Sequence, residues 1–361
     1  MVVAVALAAA GHAVRLDAQS PARDVRVILL TPRPSPSSPG EADRAFATLA
    51  AGVTDTLVLA AYGLDRTPVV EALITAQARL GTPGAVRVVV NNGTQGATLA
   101  ANGISVTAKL GGALMHDKFA VFGRRVVWTG SANTTTTSFA RNFENVVIIT
   151  STTLAYAYRA EFDLMHARKL FSTRKPPRTP VHAVTDAGEV TAAFSPSGGA
   201  EALIVRHLDA ARSSIDVAAN EFTRLELTRP LATAAARGVQ VRVLYDDGHQ
   251  GADSRDDQSL LCAAGASVLE EQATGTLHHK FAIIDRPDPI GGAEPPPPPS
   301  RPVVLTGSAN WSGRGMERND ENVVAIQSAE IAAVFGRDFD ALWDGAQGKA
   351  PADLCAALGF A

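Results

Sequence analysis

The sequence predicts an α/β fold in which one unit is present twice. Strands and helices alternate along the chain, a set of short motifs recurs in the same order, and the spacing within part of that set is kept. Val86-Arg87-Val88-Val89-Val90-Asn91-Asn92-Gly93 is paralleled by Val241-Arg242-Val243-Leu244-Tyr245-Asp246-Asp247-Gly248. His116-Asp117-Lys118-Phe119-Ala120 returns as His278-His279-Lys280-Phe281-Ala282, and Thr129-Gly130-Ser131-Ala132-Asn133 returns unchanged as Thr306-Gly307-Ser308-Ala309-Asn310. Arg141-Asn142-Phe143-Glu144-Asn145-Val146-Val147 recurs as Arg318-Asn319-Asp320-Glu321-Asn322-Val323-Val324, with one difference. The asparagine-to-glutamate separation is 11 residues in both copies.

In order, Val25 to Leu30 reads as a strand that the Pro32–Gly40 segment must end, because proline supplies no N–H to a ladder. A helix follows at 42–51, a buried strand at 56–61, a helix at 68–80 and a buried strand at 86–90. Strands at 119–122, 126–129 and 146–149 and a helix at 154–170 complete the first unit. Residues 172–189, with Lys175-Pro176-Pro177-Arg178-Thr179-Pro180, have the composition of a linker. The second unit repeats the order: helix 200–212, strand 215–219, helix 227–237, strand 239–244, a strand pair around His278 and Val303, strand 323–326 and helix 330–343. The division is therefore 1–22 signal or tail, 23–171 first half, 172–189 linker, 190–346 second half and 347–361 tail.

A chain of 361 residues with 46% hydrophobic content has enough apolar mass for two such cores. Its formal net charge of -3 excludes a global basic field for coating duplex nucleic acid, though not a locally basic cleft. Val2 to Ala10 is too short to span a bilayer and reads as the apolar region of a secretory signal, with Ala13 or Ala18 near a cleavage site, or as an irregular tail. The expected location is secreted or periplasmic, with no integral membrane segment. Cys262 and Cys355 lack metal-type spacing; they form one bridge holding the C-terminal tail or remain buried thiols. No zinc-type Cys/His cluster and no P-loop is present.

In a strand, alternate side chains share a face, so His278 and Lys280 point together and His279 points away into a structural position. His249 has Thr94 as its counterpart and is assigned no role. Packed about a pseudo-twofold axis, the halves would bring two imidazoles, two ammonium groups and two amides together. Lys118, Lys280, Asn133 and Asn310 can then hold the non-bridging oxygens of a phosphodiester, with Ser131 and Ser308 beside them. One imidazole attacks phosphorus and the other protonates the leaving oxygen. Glu144 and Glu321 are the carboxylates expected to orient the imidazoles.

The paired His-x-Lys, the Gly-Ser-x-Asn after each and the downstream glutamate resemble the phospholipase D superfamily over about 42–343. Within it, the compact halves look most like the short bacterial branch of secreted endonucleases and cardiolipin-hydrolase-like phosphodiesterases. The resemblance implies two phospholipase D-like α-β-α sandwich halves with the active site between them, no metal, no other cofactor, and a phosphohistidine intermediate. It makes His116 and His278 catalytic, with His116 the expected nucleophile and His278 the general acid. The implied partner is a phospholipid or nucleic-acid phosphodiester, handled by a monomer that carries both motifs. Hydrolysis of a phospholipid is the leading reading and nuclease activity the alternative. A phosphatidyl transferase or a non-catalytic binding protein stands behind these.

The halves differ in two places. The family's His-x-Lys-x4-Asp ends at Asp285 in the second copy but at Gly123 in the first; that position falls in a turn, where glycine is a good substitute and Asp285 is expected to be structural. Asn133 follows His116 by 17 residues, whereas Asn310 follows His278 by 32. The extra length, Arg286 to Pro302 with Pro295–Pro299, is expected to protrude as a stiff loop.

Overall fold

A computed structural model describes residues 24–91, 95–246, 254–271, 275–287, 301–347 and 353–360. The signal-like N-terminus, the turn around Gly93, His249 and the proline run at 295–299 lie outside the described residues.

The first half runs β1 (Val25–Leu30), α1 (Glu41–Gly52), β2 (Leu57–Ala61), α2 (Thr67–Leu80), β3 (Val86–Asn91), α3 (Gly96–Ala101), β4 (Ser105–Lys109), β5 (Lys118–Phe122), β6 (Val126–Gly130), α4 (Thr136–Ala140), β7 (Glu144–Thr150) and α5 (Thr152–His166). The second runs β8 (Val181–Thr185), β9 (Gly188–Ser195), α6 (Ala200–Ala210), β10 (Ser214–Ala219), α7 (Leu225–Ala236), β11 (Gln240–Asp246), α8 (Ser254–Ala263), β12 (Ser267–Glu271), β13 (Lys280–Ile284), β14 (Val303–Gly307), α9 (Gly313–Glu317), β15 (Glu321–Gln327), α10 (Ala329–Gln347) and α11 (Leu354–Ala357). The first sheet has the order β1-β7-β6-β5-β2-β3-β4. The second, β12-β11-β10-β13-β14-β15-β9-β8, has the same connectivity plus the edge strand β8. In each, three strands are parallel, because helices connect them, and the rest are antiparallel.

Strand alternation decides where the cores lie. On β5, Phe119 and Val121 enter a central cluster shared by both halves, while Ala120 and Phe122 pack outward with the α1 and α2 residues Phe46, Val69 and Leu73. On β13, Phe281 and Ile283 join the central cluster, and Ala282 and Ile284 pack outward with the α6 and α7 residues Leu203 and Leu231. Helices α5 and α10 fill the middle with equivalent stripes: Leu154, Ala155, Tyr158, Phe162 and Met165 against Ile331, Ala332, Phe335, Phe339 and Leu342. Each stripe follows the helical repeat, and Ser151 caps α5 by accepting from the Leu154 N–H at 3.3 Å. The layers are helix, sheet, paired helices, sheet, helix, with one continuous core through the centre.

Several sequence-based boundaries move. Helix α5 stops at His166 rather than 170; just beyond it Lys169 adopts a left-handed φ of 54°, which a helix cannot carry. The segment 172–189 is not a free linker. Val181-His182-Ala183-Val184-Thr185 alternates well enough to form β8, which turns through Asp186-Ala187 into β9. Lys175, in its proline-rich part, is buried between Glu161 of α5 and Asp320. The C-terminal tail also docks: α11 packs against α8 and β12, and a Cys262–Cys355 disulfide, with Cα atoms 5.3 Å apart, closes a separation of 93 residues. The chain-entropy contribution of such a closure is about 4–5 kcal/mol.

The Asp285/Gly123 difference resolves into an exchange of side. Both residues occupy left-handed turns, with φ of 53° and 61°. Asp285 Oδ1 accepts from the N–H groups of Arg212 and Ser213, at 2.9 and 2.8 Å, and from the Ser213 hydroxyl. In the first half Asp55, which occupies the place of Ser213, accepts from the Thr56 N–H at 2.6 Å, and its Oδ1 lies 3.2 Å from where a Cβ on Gly123 would sit. The carboxylate has moved across the turn. Asp285→Ala is therefore expected to lose about 1–3 kcal/mol of stability by denaturant titration, with unchanged turnover in the folded fraction. Turnover lost by a fully folded variant would return Asp285 to the chemistry.

Candidate active site

Each histidine is placed by a strand-like contact with the other half. Met115 forms a parallel bridge with Asp320, so that the His116 N–H donates to the Asp320 carbonyl at 2.9 Å. Leu277 pairs with Phe143 in the same way, and the His278 N–H donates to the Phe143 carbonyl at 3.0 Å. The next residue on each partner strand is the glutamate that opens β15 or β7. His116 Nδ1 lies 2.8 Å from both carboxylate oxygens of Glu321, and His278 Nδ1 lies 2.7 Å from Glu144 Oε1. The imidazole–carboxylate pairs are thus exchanged between halves, a partnering that the sequence repeat left open.

Lys118 and Lys280, first residues of β5 and β13, fold back so that each Nζ donates to the carbonyl of its own histidine at 2.7 Å. All six of these side chains are buried or nearly so. Asp117 and His279 point to the opposite face, into the central core, as strand alternation requires. There Asn322 donates from Nδ2 to Asp117 Oδ1 at 3.0 Å, and Asn145 Nδ2 lies 3.1 Å from His279 Nδ1. The Thr129 hydroxyl donates to Asn322 Oδ1 at 2.6 Å and that of Thr306 to Asn145 Oδ1 at 2.8 Å, a reciprocal lock between the halves. Neither the asparagines nor the threonines were singled out from sequence, although all four belong to the repeated motifs.

Ser131 and Ser308 take a different place from the one expected. Both are fully buried. The Ser308 hydroxyl donates to Glu321 Oε2 at 2.8 Å and accepts from the Asn322 N–H; Ser131 accepts from the Asn145 N–H at 3.0 Å and lies against Glu144. Their short side chains reach the glutamates, which lie beneath the imidazoles. Asn310 donates from Nδ2 to Glu221 Oε2 at 2.8 Å. The buried Oδ1 atoms of Asn133 and Asn310 have no hydrogen-bond partner among the described residues. Tyr62, another residue that sequence reasoning passed over, sets its ring edge-on to His116 at 4.6 Å and under Lys118 Nζ at 5.3 Å. Nothing in the motif spacing marks it, because its counterpart is Asn220.

Burial sets the protonation of the site. It lowers His116 well below the ordinary imidazole value, helped by Lys118 and Lys280, and brings His278 down to about 4. Burial also lowers Lys118 to about 7 and Lys280 to about 8. The carboxylates part company. Burial pushes Glu321 up to about 8, whereas for Glu144 the nearby His278, Lys280 and Ser131 outweigh burial and hold it below its ordinary value. The resting site therefore offers neutral imidazoles at both His116 and His278, with an ionised carboxylate under His278. A bound anion would favour charge on both lysines. The arrangement suits in-line transfer at an anionic tetrahedral centre, with a ring nitrogen on either side and cations between.

Fold and site together define a duplicated α/β scaffold with a His, a Lys and a Glu from each half in one buried cluster. A family model described as "Cardiolipin synthase, PLD-like domain" matches residues 18–166 and 204–343, and the chain belongs to this phospholipase D-like family. It is similar to the mitochondrial cardiolipin hydrolase of Mus musculus, at 32% identity over 141 residues, which are 39% of this chain and 57% of that protein. The human mitochondrial cardiolipin hydrolase is also 32% identical over 141 residues, 50% of its length, so the chain spans about half the length of the curated relatives it matches. Among solved structures, the phosphatidylserine synthase of Haemophilus influenzae Rd KW20 aligns with a TM-score of 0.59 at 12% identity, covering 86% of this chain and 84% of that one. That likeness is one of fold.

Proposed function

We propose that this chain is a metal-independent phosphodiesterase that hydrolyses phospholipid diesters through a phosphohistidine. The observation that carries the reading is the exchanged His–Glu pairing, which sets two imidazoles and two lysines in one buried site. His116 Nε2 attacks phosphorus as the bond to the headgroup oxygen breaks, and His278, protonated in the substrate complex, gives its proton to that oxygen. Water then attacks the phosphohistidine, His278 takes a proton from it, and the P–N bond breaks to restore His116. One feature supports this division of roles: Glu144 is held ionised and favours charge on His278, whereas Glu321 is pushed up to about 8 and favours it less on His116. Lys118, Lys280 and the amides of Asn133 and Asn310 hold the non-bridging oxygens. The cardiolipin-hydrolase relatives support a phospholipid as the substrate.

The test is a side-by-side assay of ethanolamine, choline and glycerol phospholipids, single- and double-stranded DNA, and RNA, in excess chelator. Release of the free headgroup alcohol with phosphatidic acid is expected, undiminished by chelator. Cleavage of nucleic acid alone would replace the substrate class, and activity abolished by chelator and restored by a divalent metal would remove the mechanism. The Cys262–Cys355 disulfide supports a secreted or periplasmic location. Cell fractionation that finds the protein in the cytoplasm with both thiols open to alkylation would overturn that placement.

A further inference from the structure

The two halves are alike in their catalytic residues and unlike in the charges around them. Strand pairing aligns Ala61 with Lys118 and Ala219 with Lys280, so Tyr62-Gly63 after β2 and Asn220-Glu221 after β10 are equivalent. At this position the first half has no side chain and the second has a carboxylate. The cause is local. A Cβ on Gly63 would lie 2.8 Å from the Thr135 methyl. The matching residue in the second half is Ser312, which keeps the capping hydroxyl, accepting from the Gly315 N–H, but has no methyl. Space for Glu221 is thereby open. Its Oε2 accepts from Asn310 Nδ2 at 2.8 Å, and its charge acts on Lys280. Oε1 has no protein hydrogen-bond partner among the described residues.

The strand ends behind it carry the same polarity. Asn91 closes β3 and Asp246 closes β11; each accepts through Oδ1 from the backbone N–H just ahead of its histidine, Met115 or Leu277. Lys109 ends β4 where Glu271 ends β12. At three equivalent positions the His278 side is thus more acidic than the His116 side.

We infer that Glu221 is a specificity-determining residue that seats an ammonium-bearing headgroup on the His278 side and repels a leaving group carrying a second phosphate. The inference rests on the phospholipid reading and on His278 as the acid for the leaving alcohol, which puts the departing group beside Glu221. A carboxylate there attracts an amine or a hydroxyl and opposes an anion. A diester flanked by a further phosphate, as in a polynucleotide or a doubly phosphorylated lipid, places its next charge against it.

The full chain is assayed on soluble short-chain phospholipids with three headgroups: ethanolamine, glycerol and phosphoglycerol. Wild type is expected to rank them in that order by kcat/KM. Glu221→Gln keeps an acceptor for the Asn310 amide and removes only the charge; it should lower the ethanolamine-to-phosphoglycerol ratio at least about tenfold. Glu221→Lys should reverse the ranking. A ratio unchanged within about twofold in both variants, with all three rates falling together, would reduce Glu221 to a support for Asn310 and overturn the inference. Wild-type turnover without headgroup preference also overturns it while leaving the phospholipid reading intact. No turnover of any of the three lipids overturns both.

Discussion

His116→Ala is expected to abolish turnover on every diester, whereas His278→Ala is expected to lose the first, phosphohistidine-forming step only on diesters with a poor leaving group. For the nucleophile the expected loss is at least about 10⁴-fold, because the remaining imidazole, His278, is assigned to the leaving oxygen and not to attack. For His278 the loss on an alkyl headgroup is on the order of 10²–10⁴-fold. With a p-nitrophenyl diester the loss in the first-turnover burst should shrink to about tenfold, since that phenolate departs without a proton, while the later attack of water, which uses His278 as base, stays slow. The check is the ratio of alkyl to p-nitrophenyl first-turnover rates in each variant, together with acid-labile phosphate trapped on wild type and absent from His116→Ala. The opposite pattern, with the p-nitrophenyl burst surviving loss of His116, would reverse the two roles. The asymmetry of the carboxylates supports the assignment: ionised Glu144 stabilises an imidazolium at His278, while Glu321 is pushed up to about 8 and favours His116 less as a cation.

Lys175→Met is expected to be the most destabilising single change outside the catalytic residues, costing about 3–5 kcal/mol. Its ammonium is wholly buried between Glu161 and Asp320, the latter at 2.6 Å, and Arg178 reaches Glu161 from the other side. Removing the cation leaves two carboxylates facing each other without water. Their neighbour Asp117 is already pushed up to about 8 by burial and by Glu161. The pH dependence follows from sign. Burial alone would lower Lys175, but Glu161, Asp320 and Asp117 outweigh it and raise the amine above its ordinary value, so its contribution is complete below the unfolded lysine value and fades as pH rises through the folded one. Denaturant titration of Lys175→Met, and of Lys175→Met combined with Glu161→Gln and Asp320→Asn, checks the account. The triple variant should regain most of the loss. A single variant as stable as wild type would show that the cluster contributes nothing.

The candidate catalytic set is legible because it is repeated: His116, Lys118, Glu144 and their counterparts are written twice. A repeat says which residues matter but not which copy each one faces, so the exchange of Glu144 and Glu321 appears only when Met115 pairs with Asp320 and Leu277 with Phe143. Ser131 and Ser308 were legible as members of the set, but the motif gives no sign that their hydroxyls contact the carboxylates of Glu144 and Glu321. Asp55 was invisible because it does the work of Asp285 from a different strand end. Tyr62 and Glu221 were invisible for the opposite reason: they lie where the two copies disagree. The edge strand β8 was hidden by the prolines before it, whose composition suggested a tether.

That tether bears on how two copies of the chain could trade parts. In many repeated proteins a hinge of this kind lets one half swing out and dock on a neighbour, giving an exchanged dimer with intact sites. Here the hinge would have to draw Lys175 out of its cage and strip β8 from the sheet edge before either half could leave. The same arrangement makes circular permutation at this connection unfavourable, because new termini there would open the charged cluster to water. The connecting segment acts as a clasp: through Lys175 it ties Glu161 of the first half to Asp320 of the second, in addition to the core they share.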